Sequence, residues 1–268
     1  MSDARPLGKV RYDNMGRIVI VTGGASGIGQ AIGEAFATSG AQVVCVDVNR
    51  PADESLGSRI EFRHCDTSSD SDCREAAKWV MDQYGGVDVL VNNAAIQPKD
   101  SYRPIDAVPK EVWDRMLAVN FSGYMQMAKY VLPLMKRQQS GVIVNIASGQ
   151  AHRTARQVGV YGPIKSANIM QARQWGVEYA RQGIRVVSVS PGAIDTPMVR
   201  ASLEAQGGVA ALANRHPIGR IGQPHEVAAA VLWLASPDAS FITATDLEVD
   251  GGLGAFGAFA DPYPLNSQ

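Results

Sequence analysis

Residues 17–29, which read RIVIVTGGASGIG, decide the fold of this chain. The run RIVIVT is apolar and β-branched and predicts a buried strand, and a helical pattern follows at residues 27–38. The glycines at positions 23, 27 and 29 have the spacing G-x-x-x-G-x-G, which allows a tight turn at the start of that helix. Such a turn can bind a phosphate group through backbone N–H groups, although glycine-rich turns without a ligand are also common. The loop lacks the G-K-[ST] ending of a triphosphate hydrolase, so that class is disfavoured.

The rest of the chain repeats this alternation of apolar runs and amphipathic segments. Further strands are predicted at residues 42–47, 60–64, 87–91, 141–146, 184–190 and 246–249. Further helices are predicted at residues 71–84, 110–136, 161–182 and 224–235. Apolar strands that alternate with helices form a parallel sheet covered on both faces. We therefore predict a single α/β domain, a doubly wound Rossmann-type fold of about seven strands, at residues 16–252. An amino-terminal extension (1–15) and a carboxyl-terminal tail (253–268) flank it.

The composition excludes several functional classes. The chain has 268 residues, and its 25 lysines and arginines nearly balance 26 aspartates and glutamates, which argues against nucleic acid as the main partner. No run approaches the ~20 apolar residues of a membrane span, and the amino terminus has no signal-peptide core. Three cysteines without paired spacing indicate a reducing compartment, and no metal site is predicted. The protein is therefore expected to be cytoplasmic, with no membrane partner.

Two aspartates follow predicted strands at the edge where a doubly wound sheet binds its ligands. Asp47 ends the second strand, 24 residues after Gly23, and a carboxylate there can bind both ribose hydroxyls of an adenosine. It would repel a 2′-phosphate, so we expect NAD rather than NADP, although Arg50 is near enough to weaken this preference. Asp66, after the third strand, is a candidate partner for the adenine amino group. Both residues could also be ordinary aspartates at a strand end or a turn.

The sequence YGPIK at residues 161–165 carries the sharpest catalytic signal. Residues four apart share one face of a helix, and an ammonium favours a neighbouring phenolate, so Lys165 is expected to lower the pKa of Tyr161. Such a tyrosine can exchange a proton with an alcohol or ketone oxygen. Ser148 follows the fifth strand and could hold that oxygen, and Asn120 is a poor helix former inside a predicted helix, which indicates a polar task. The Y-x-x-x-K spacing also arises by chance from unrelated surface residues.

Together and in this order, these motifs resemble those of the short-chain dehydrogenase/reductase family. The resemblance covers residues 16–252 and rests on the glycine loop and on Asn92-Asn93-Ala94-Ala95, Asn120, Ser148, Tyr161, Lys165, Pro191-Gly192, Thr196 and Val249-Asp250-Gly251-Gly252. It implies an NAD(P)-dependent enzyme that transfers hydride between a CH–OH group and a carbonyl group. It also implies self-association as a homotetramer.

The resemblance implies a role for each catalytic candidate. Tyr161 would be the proton donor or acceptor, Ser148 would bind the substrate oxygen, and Lys165 would hold the nicotinamide ribose and tune Tyr161. Asn120 would support a water that links Lys165 to solvent. The implied cofactor-binding residues are Gly23, Ser26, Gly27, Ile28, Gly29, Asp47, Asp66, Thr67, Asn93, Ala94, Ala95, Tyr161, Lys165, Pro191, Gly192, Ile194 and Thr196. The departures from the family pattern are Ala95, Ala244 and Pro163, the last of which is expected in the first turn of its helix.

The substrate is expected to meet residues 149–160, residues 192–198 and a lid-like stretch that runs to residue 216. The first segment is rich in amide, histidine and arginine side chains, which suits a sugar, a polyol or an anionic substrate, or else marks a solvated surface loop. The predicted substrate-binding residues are Ser148, Gln150, His152, Arg156, Tyr161 and Met198.

Three functions remain open at this point. The leading hypothesis is an NAD-dependent dehydrogenase of a secondary alcohol, namely a sugar, a polyol or a small cyclic alcohol. The second is a 3-oxoacyl thioester reductase that uses NADPH, and the third is a non-catalytic nucleotide sensor, which would not require Ser148, Tyr161 and Lys165 together. A serine hydrolase is disfavoured because no G-x-S-x-G motif surrounds Ser26 or Ser148. The apolar tail after Gly252 is expected to pack on the body or on a neighbouring subunit.

Overall fold

The computed structural model describes residues 8, 10–52, 57–203 and 207–257, and a parallel sheet of seven strands forms the centre of this part of the chain. The strands are β1 (Ile18–Thr22), β2 (Gln42–Asp47), β3 (Ile60–His64), β4 (Val89–Asn92), β5 (Gly141–Ile146), β6 (Ile184–Pro191) and β7 (Asp246–Val249). They are arranged in the order β3-β2-β1-β4-β5-β6-β7. The chain changes direction across the sheet between β1 and β4, and doubly wound sheets bind ligands beyond the carboxyl ends of the strands at such a point.

Helices cover both faces of the sheet. They are α1 (Gly27–Thr38), α2 (Asp70–Tyr84), α3 (Lys110–Leu117), α4 (Gly123–Gln138), α5 (Tyr161–Tyr179), α6 (Pro197–Arg200), α7 (Gly208–Ala213) and α8 (Pro224–Ala235). Because side chains alternate along a strand, Val19 and Val21 of β1 join the core formed with α1 and α8, while Ile20 joins the core formed with α2 and α4. The predicted single doubly wound α/β domain is thereby confirmed.

The helix predicted at residues 110–136 is interrupted. α3 ends at Leu117, a π-helical turn spans Ala118–Ser122, and α4 begins at Gly123. The helical period continues through the turn, so the apolar pattern alone does not show the break. The π-helical turn places Asn120 in the interior, where the side chain is fully buried.

The helix that carries the YGPIK sequence begins at Tyr161, as expected from Pro163. Pro163 therefore lies in the first turn, where a missing N–H group costs no helical hydrogen bond. The helix ends at Tyr179, and a short 3₁₀ turn at Ala180–Gln182 completes the predicted segment.

Parts of both predicted terminal segments lie outside the described residues. These are residues 1–7 and 9 of the amino-terminal extension and residues 258–268 of the tail. In the described part of the chain, no helix is long and apolar enough to cross a membrane.

Candidate active site

A cavity of about 520 Å³ opens beyond the carboxyl ends of the strands, where the doubly wound topology predicts a ligand site. Segments that follow all seven strands line it, together with the amino-terminal turn of α5. The predicted residues that line this cavity are Gly23, Ser26, Gly27, Ile28, Asp47, Asp66, Thr67, Asn93, Ala94, Ala95, Ser148, Gln150, Tyr161, Lys165, Pro191, Gly192, Ile194, Thr196 and Met198.

The glycine loop forms a cradle in which side chains have no room. Gly23 has φ +66°, and a Cβ atom on it would lie 2.8 Å from the Cα of Ala94. Gly29 does not line the cavity but lies beneath the loop, where a Cβ atom would come within 2.1 Å of the carbonyl oxygen of Gly23. The loop can close tightly over the start of α1 because these positions lack side chains. The amino terminus of α1 consequently faces the cavity with free N–H groups and a positive dipole, which suits a pyrophosphate.

Thr22 joins this loop to the segment after β4, a contact that the sequence motifs did not reveal. Its hydroxyl oxygen accepts hydrogen bonds from the N–H groups of Asn93, at 2.9 Å, and Ala94, at 3.0 Å. The side-chain amide of Asn93 donates in turn to the carbonyl oxygens of Thr22 and Gly23. The two cavity-lining segments therefore form one hydrogen-bonded unit.

The two aspartates lie where the sequence placed them, one at the end of β2 and one after β3, and both line the cavity. The Asp47 carboxylate accepts hydrogen bonds from the N–H groups of Ala25, at 3.2 Å, and Asn49, at 2.9 Å. Asp66 is held by the hydroxyl and N–H groups of Ser68. Asp47 is thus fixed beside the glycine loop, and Arg50 does not line the cavity.

Ser148, Tyr161 and Lys165 converge at the opposite end of the cavity. Ser148 lies near enough to Tyr161 to lower the pKa of its hydroxyl, and the Ser148 oxygen accepts the N–H of Gln150 at 3.2 Å. Lys165 is only 1% exposed, and its Nζ lies 5.7 Å from the centre of the Tyr161 ring. The Nζ donates to the carbonyl oxygen of Ile146 at 2.8 Å, at the end of β5.

Burial is the largest influence on the pKa values of Lys165 and Tyr161. It lowers the pKa of Lys165 from 10.5 to about 7, because a charged ammonium is disfavoured away from water. It raises the pKa of Tyr161 well above its usual value, an effect to which Tyr102 contributes and which Ser148 opposes. Loss of hydration of the phenolate is thus the largest influence on the pKa of Tyr161, and the expectation that Lys165 lowers this pKa stays a prediction.

Asn120 lies below the cavity rather than in its lining. Its side-chain oxygen accepts the N–H of Ile96 at 2.8 Å, and its side-chain nitrogen donates to the carbonyl of Ile96 at 2.9 Å. Its own carbonyl accepts the amide of Asn168, which belongs to α5, at 3.0 Å. Asn120 therefore ties the π-helical turn to both the segment after β4 and the helix that carries Tyr161.

Two of the predicted substrate-binding residues do not reach the cavity. His152 turns away, because its Nε2 is hydrogen-bonded to the buried carboxylate of Asp246 at 2.8 Å. Arg156 is exposed in the same loop and is not part of the lining. These two predictions are corrected: the loop turns between Ser148 and α5, so only some of its side chains face the cavity.

Other residues line the cavity without having been predicted. They include Gln97, Tyr102 and Arg115, whereas Arg153, Arg215 and His216, which also line the cavity, belong to the segments expected to face the substrate. Gln97 could have been found, because it follows Asn92-Asn93-Ala94-Ala95 at the ligand edge of the sheet. The remaining ones come from segments whose path the sequence does not specify. The described residues contain no group of three or more histidine, cysteine or acidic side chains that could hold a metal ion.

Comparison with known proteins assigns the family. A family model described as "Enoyl-(Acyl carrier protein) reductase" matches residues 23–254, most of the chain. The chain belongs to the short-chain dehydrogenase/reductase family. The resemblance in sequence is thereby confirmed, and this short-chain dehydrogenase/reductase is an oxidoreductase that acts on CH–OH groups with a nicotinamide cofactor, NAD or NADP.

Relatives of this short-chain dehydrogenase/reductase differ in substrate. The 2,5-dichloro-2,5-cyclohexadiene-1,4-diol dehydrogenase of Sphingobium indicum is 35% identical over 249 residues, covering 91% of this chain and 99% of that protein. The 3-oxoacyl-(acyl-carrier-protein) reductase of Thermotoga maritima is 34% identical over 253 residues, covering 89% and 98%. The ligand-free structure of Thermoplasma acidophilum aldohexose dehydrogenase superposes with a TM-score of 0.86 at 34% identity, covering 94% of this chain and 98% of that one.

Proposed function

We propose that this enzyme is an NAD-dependent dehydrogenase that oxidises a secondary alcohol in a small polyhydroxylated molecule, such as a sugar, a polyol or a cyclic diol, to the corresponding ketone or lactone. NAD, when bound, accepts the hydride. The convergence of Ser148, Tyr161 and Lys165 at one end of the cavity carries this proposal. Ser148 holds the substrate hydroxyl, Tyr161 removes its proton, and Lys165 supplies the positive charge that favours the Tyr161 phenolate.

The preference for NAD is supported by Asp47. Its carboxylate lines the cavity at the end of β2 and is held by two backbone N–H groups, so it cannot easily swing away from a ligand. A carboxylate in this position accepts hydrogen bonds from ribose hydroxyls and repels a 2′-phosphate. We propose cofactor-binding roles for the other predicted residues that line the cavity, because they belong to the glycine loop or to the side of the cavity opposite it.

A polar substrate is supported by two unpaired amide atoms. Gln97 and Gln150 line the cavity, and the Nε2 of Gln97 and the Oε1 of Gln150 are buried without a hydrogen-bond partner among the described residues. An unpaired buried donor or acceptor costs about 1–3 kcal/mol, which a bound ligand recovers by pairing with it. One donor and one acceptor in the lining of this cavity match a second hydroxyl group on the substrate.

A substrate panel tests this proposal. With NAD, we expect vicinal diols, sugars and polyols to react with a higher kcat/KM than alcohols with a single hydroxyl group. Gln97→Leu and Gln150→Leu should remove that preference, whereas Gln174→Leu, at a surface glutamine bonded to Glu178, should not. Equal rates for both substrate groups in the unaltered enzyme would contradict the polyol assignment.

A 3-oxoacyl thioester reductase is the second candidate, favoured by the similarity to the Thermotoga maritima enzyme. It would consume NADPH with a 3-oxoacyl thioester, a preference that Asp47 opposes. Steady-state rates with both cofactors and both substrate classes separate the two. A nucleotide sensor, by contrast, would bind NAD and turn over no member of the panel.

We also propose that the enzyme functions in the cytoplasm as a homotetramer. Apolar side chains of Met125 on α4 and of Met170 and Val177 on α5 are exposed to solvent in the single chain. A second copy of the chain could cover these surfaces. A light-scattering mass of one subunit would contradict this assembly.

A further inference from the structure

Tyr124, in the first turn of α4, has a hydroxyl beside the catalytic lysine. Its side chain is only 1% exposed, so that hydroxyl is removed from bulk water. It forms a triangle of hydrogen bonds with Lys165 and the carbonyl of Ile146. The distances are 3.1 Å from Nζ to the hydroxyl, 2.8 Å from Nζ to the carbonyl oxygen and 2.9 Å from the hydroxyl to the carbonyl oxygen.

The direction of each bond in this triangle follows from the chemistry of its atoms. A carbonyl oxygen can only accept, so the hydroxyl hydrogen of Tyr124 is donated to Ile146. The lone pairs of the Tyr124 oxygen are therefore left to accept a hydrogen from Lys165. An ammonium at Lys165 has two acceptors in this triangle, and one of its three hydrogens remains for another partner.

The groups that face Lys165 explain why these two acceptors matter. Burial is the resolved influence on its ionisation, and it disfavours the charged form. The phenol of Tyr124 faces it from α4, and that of Tyr161, which interacts with Tyr124, faces it from its own helix. Ser148 and Tyr102 act on Tyr161 rather than on Lys165. Hydrogen-bond acceptors, rather than a neighbouring carboxylate, therefore stabilise the ammonium.

We propose that Tyr124 is a positioning residue for the reaction, whose hydroxyl holds the Lys165 ammonium at the end of β5 and keeps it protonated beside Tyr161. The proposal rests on the proposed function, because it gives Tyr124 an effect on catalysis only if Tyr161 exchanges the substrate proton. Tyr124 itself touches neither the reacting atoms nor the hydride path. Its influence on the rate passes through the charge and position of Lys165.

The first test does not depend on catalysis. NMR of the enzyme with isotope-labelled lysine side chains follows the titration of Lys165, whose signal is assigned by its loss in Lys165→Met. Tyr124→Phe removes one acceptor of a charged donor, so the titration midpoint should fall by about one pH unit. The matched control is Tyr84→Phe, which removes a hydroxyl bonded to Glu61 away from the cavity and should leave the midpoint unchanged. An unchanged midpoint in Tyr124→Phe would overturn the proposal.

The second test measures the pH dependence of alcohol oxidation. Because Tyr124→Phe lowers the Lys165 midpoint, its kcat/KM should match that of the wild type below both midpoints, where Lys165 is charged in both enzymes, and should fall to a constant smaller fraction of the wild-type value above them. A uniform loss of rate at every pH would show a packing role only and would reject the proposal. If the NMR shift occurs while no enzyme form oxidises an alcohol, the proposed function fails and the Tyr124–Lys165 coupling stands.

Tyr124→Phe is expected to fold, because the carbonyl of Ile146 keeps its bond from Lys165. If it does not fold, a ring-fluorinated tyrosine at position 124 retains the shape and weakens the hydroxyl as an acceptor. The Lys165 midpoint should then move in the same direction by a smaller amount. No movement with the fluorinated side chain would equally reject the proposal.

Discussion

Thr22 provides a quantitative test of how the cofactor cradle is held together. Its side chain is buried at the end of β1, and its hydroxyl accepts the N–H groups of Asn93 and Ala94. Thr22→Val keeps the shape of the side chain but leaves both N–H groups without this acceptor. Each unpaired, partly buried N–H group costs about 1–3 kcal/mol, so the free energy of unfolding should fall by about 2–6 kcal/mol. Thr22→Ser keeps the hydroxyl and loses one methyl group, which should cost only about 1 kcal/mol.

Urea denaturation of the three proteins measures this difference directly. The order of stability should be wild type, then Thr22→Ser, then Thr22→Val, with the largest step at the valine variant. NAD affinity measured by titration should fall in the same order, because Thr22 also positions the segment that contains Ala94. If Thr22→Val proves as stable as Thr22→Ser, the hydroxyl does not hold the two segments together and the reasoning is refuted.

Three further changes test other parts of the site. Gly29→Ala places a Cβ atom 2.1 Å from the carbonyl oxygen of Gly23 and should lower NAD affinity by about 10-fold or more. Gly57→Ala, where a Cβ atom meets open space, should leave the affinity unchanged. Equal NAD affinities of the two variants would reject the steric account. Asp47→Ser should raise the ratio of kcat/KM with NADP to that with NAD by about 10-fold or more, since like charges no longer meet, and an unchanged ratio would remove the argument for NAD. For Lys165, the pKa lowered from 10.5 to about 7 means that between these pH values the unfolded chain binds a proton that the folded chain lacks. The stability of the wild type should therefore rise with pH through that window by up to ~1.4 kcal/mol per pH unit relative to Lys165→Met; parallel pH dependences of the two would contradict it.

The fold could be predicted because its signals are local and repeated. The run at residues 17–22 is apolar throughout, and the parallel strands around it have the same character, so a sheet buried on both faces was the simplest arrangement. The break between α3 and α4 could not be predicted, because apolar residues keep a helical spacing through Asn120. Its cause is tertiary: Asn120 is bonded to Ile96 and Asn168, which are distant in sequence.

The site was predicted only where it is built from residues at strand ends. Asp47, Ser148 and Tyr161 line the cavity because each lies at or just after a strand, or at the start of a helix. Loop side chains followed no such rule: His152 binds Asp246 instead of lining the cavity, although its neighbour Arg153 lines it. The contact of Tyr124 with Lys165 spans 41 residues of sequence, and no spacing rule connects such a pair.

The central claim is that Tyr161 exchanges the substrate proton while NAD takes the hydride. The most direct measurement is the absorbance of reduced nicotinamide formed from NAD and a polyol substrate, compared between the wild type and Tyr161→Phe, with NAD binding measured on both. We predict that the variant binds NAD with unchanged affinity. Its rate of substrate oxidation should fall by about 100-fold or more. Full activity in Tyr161→Phe would contradict the account.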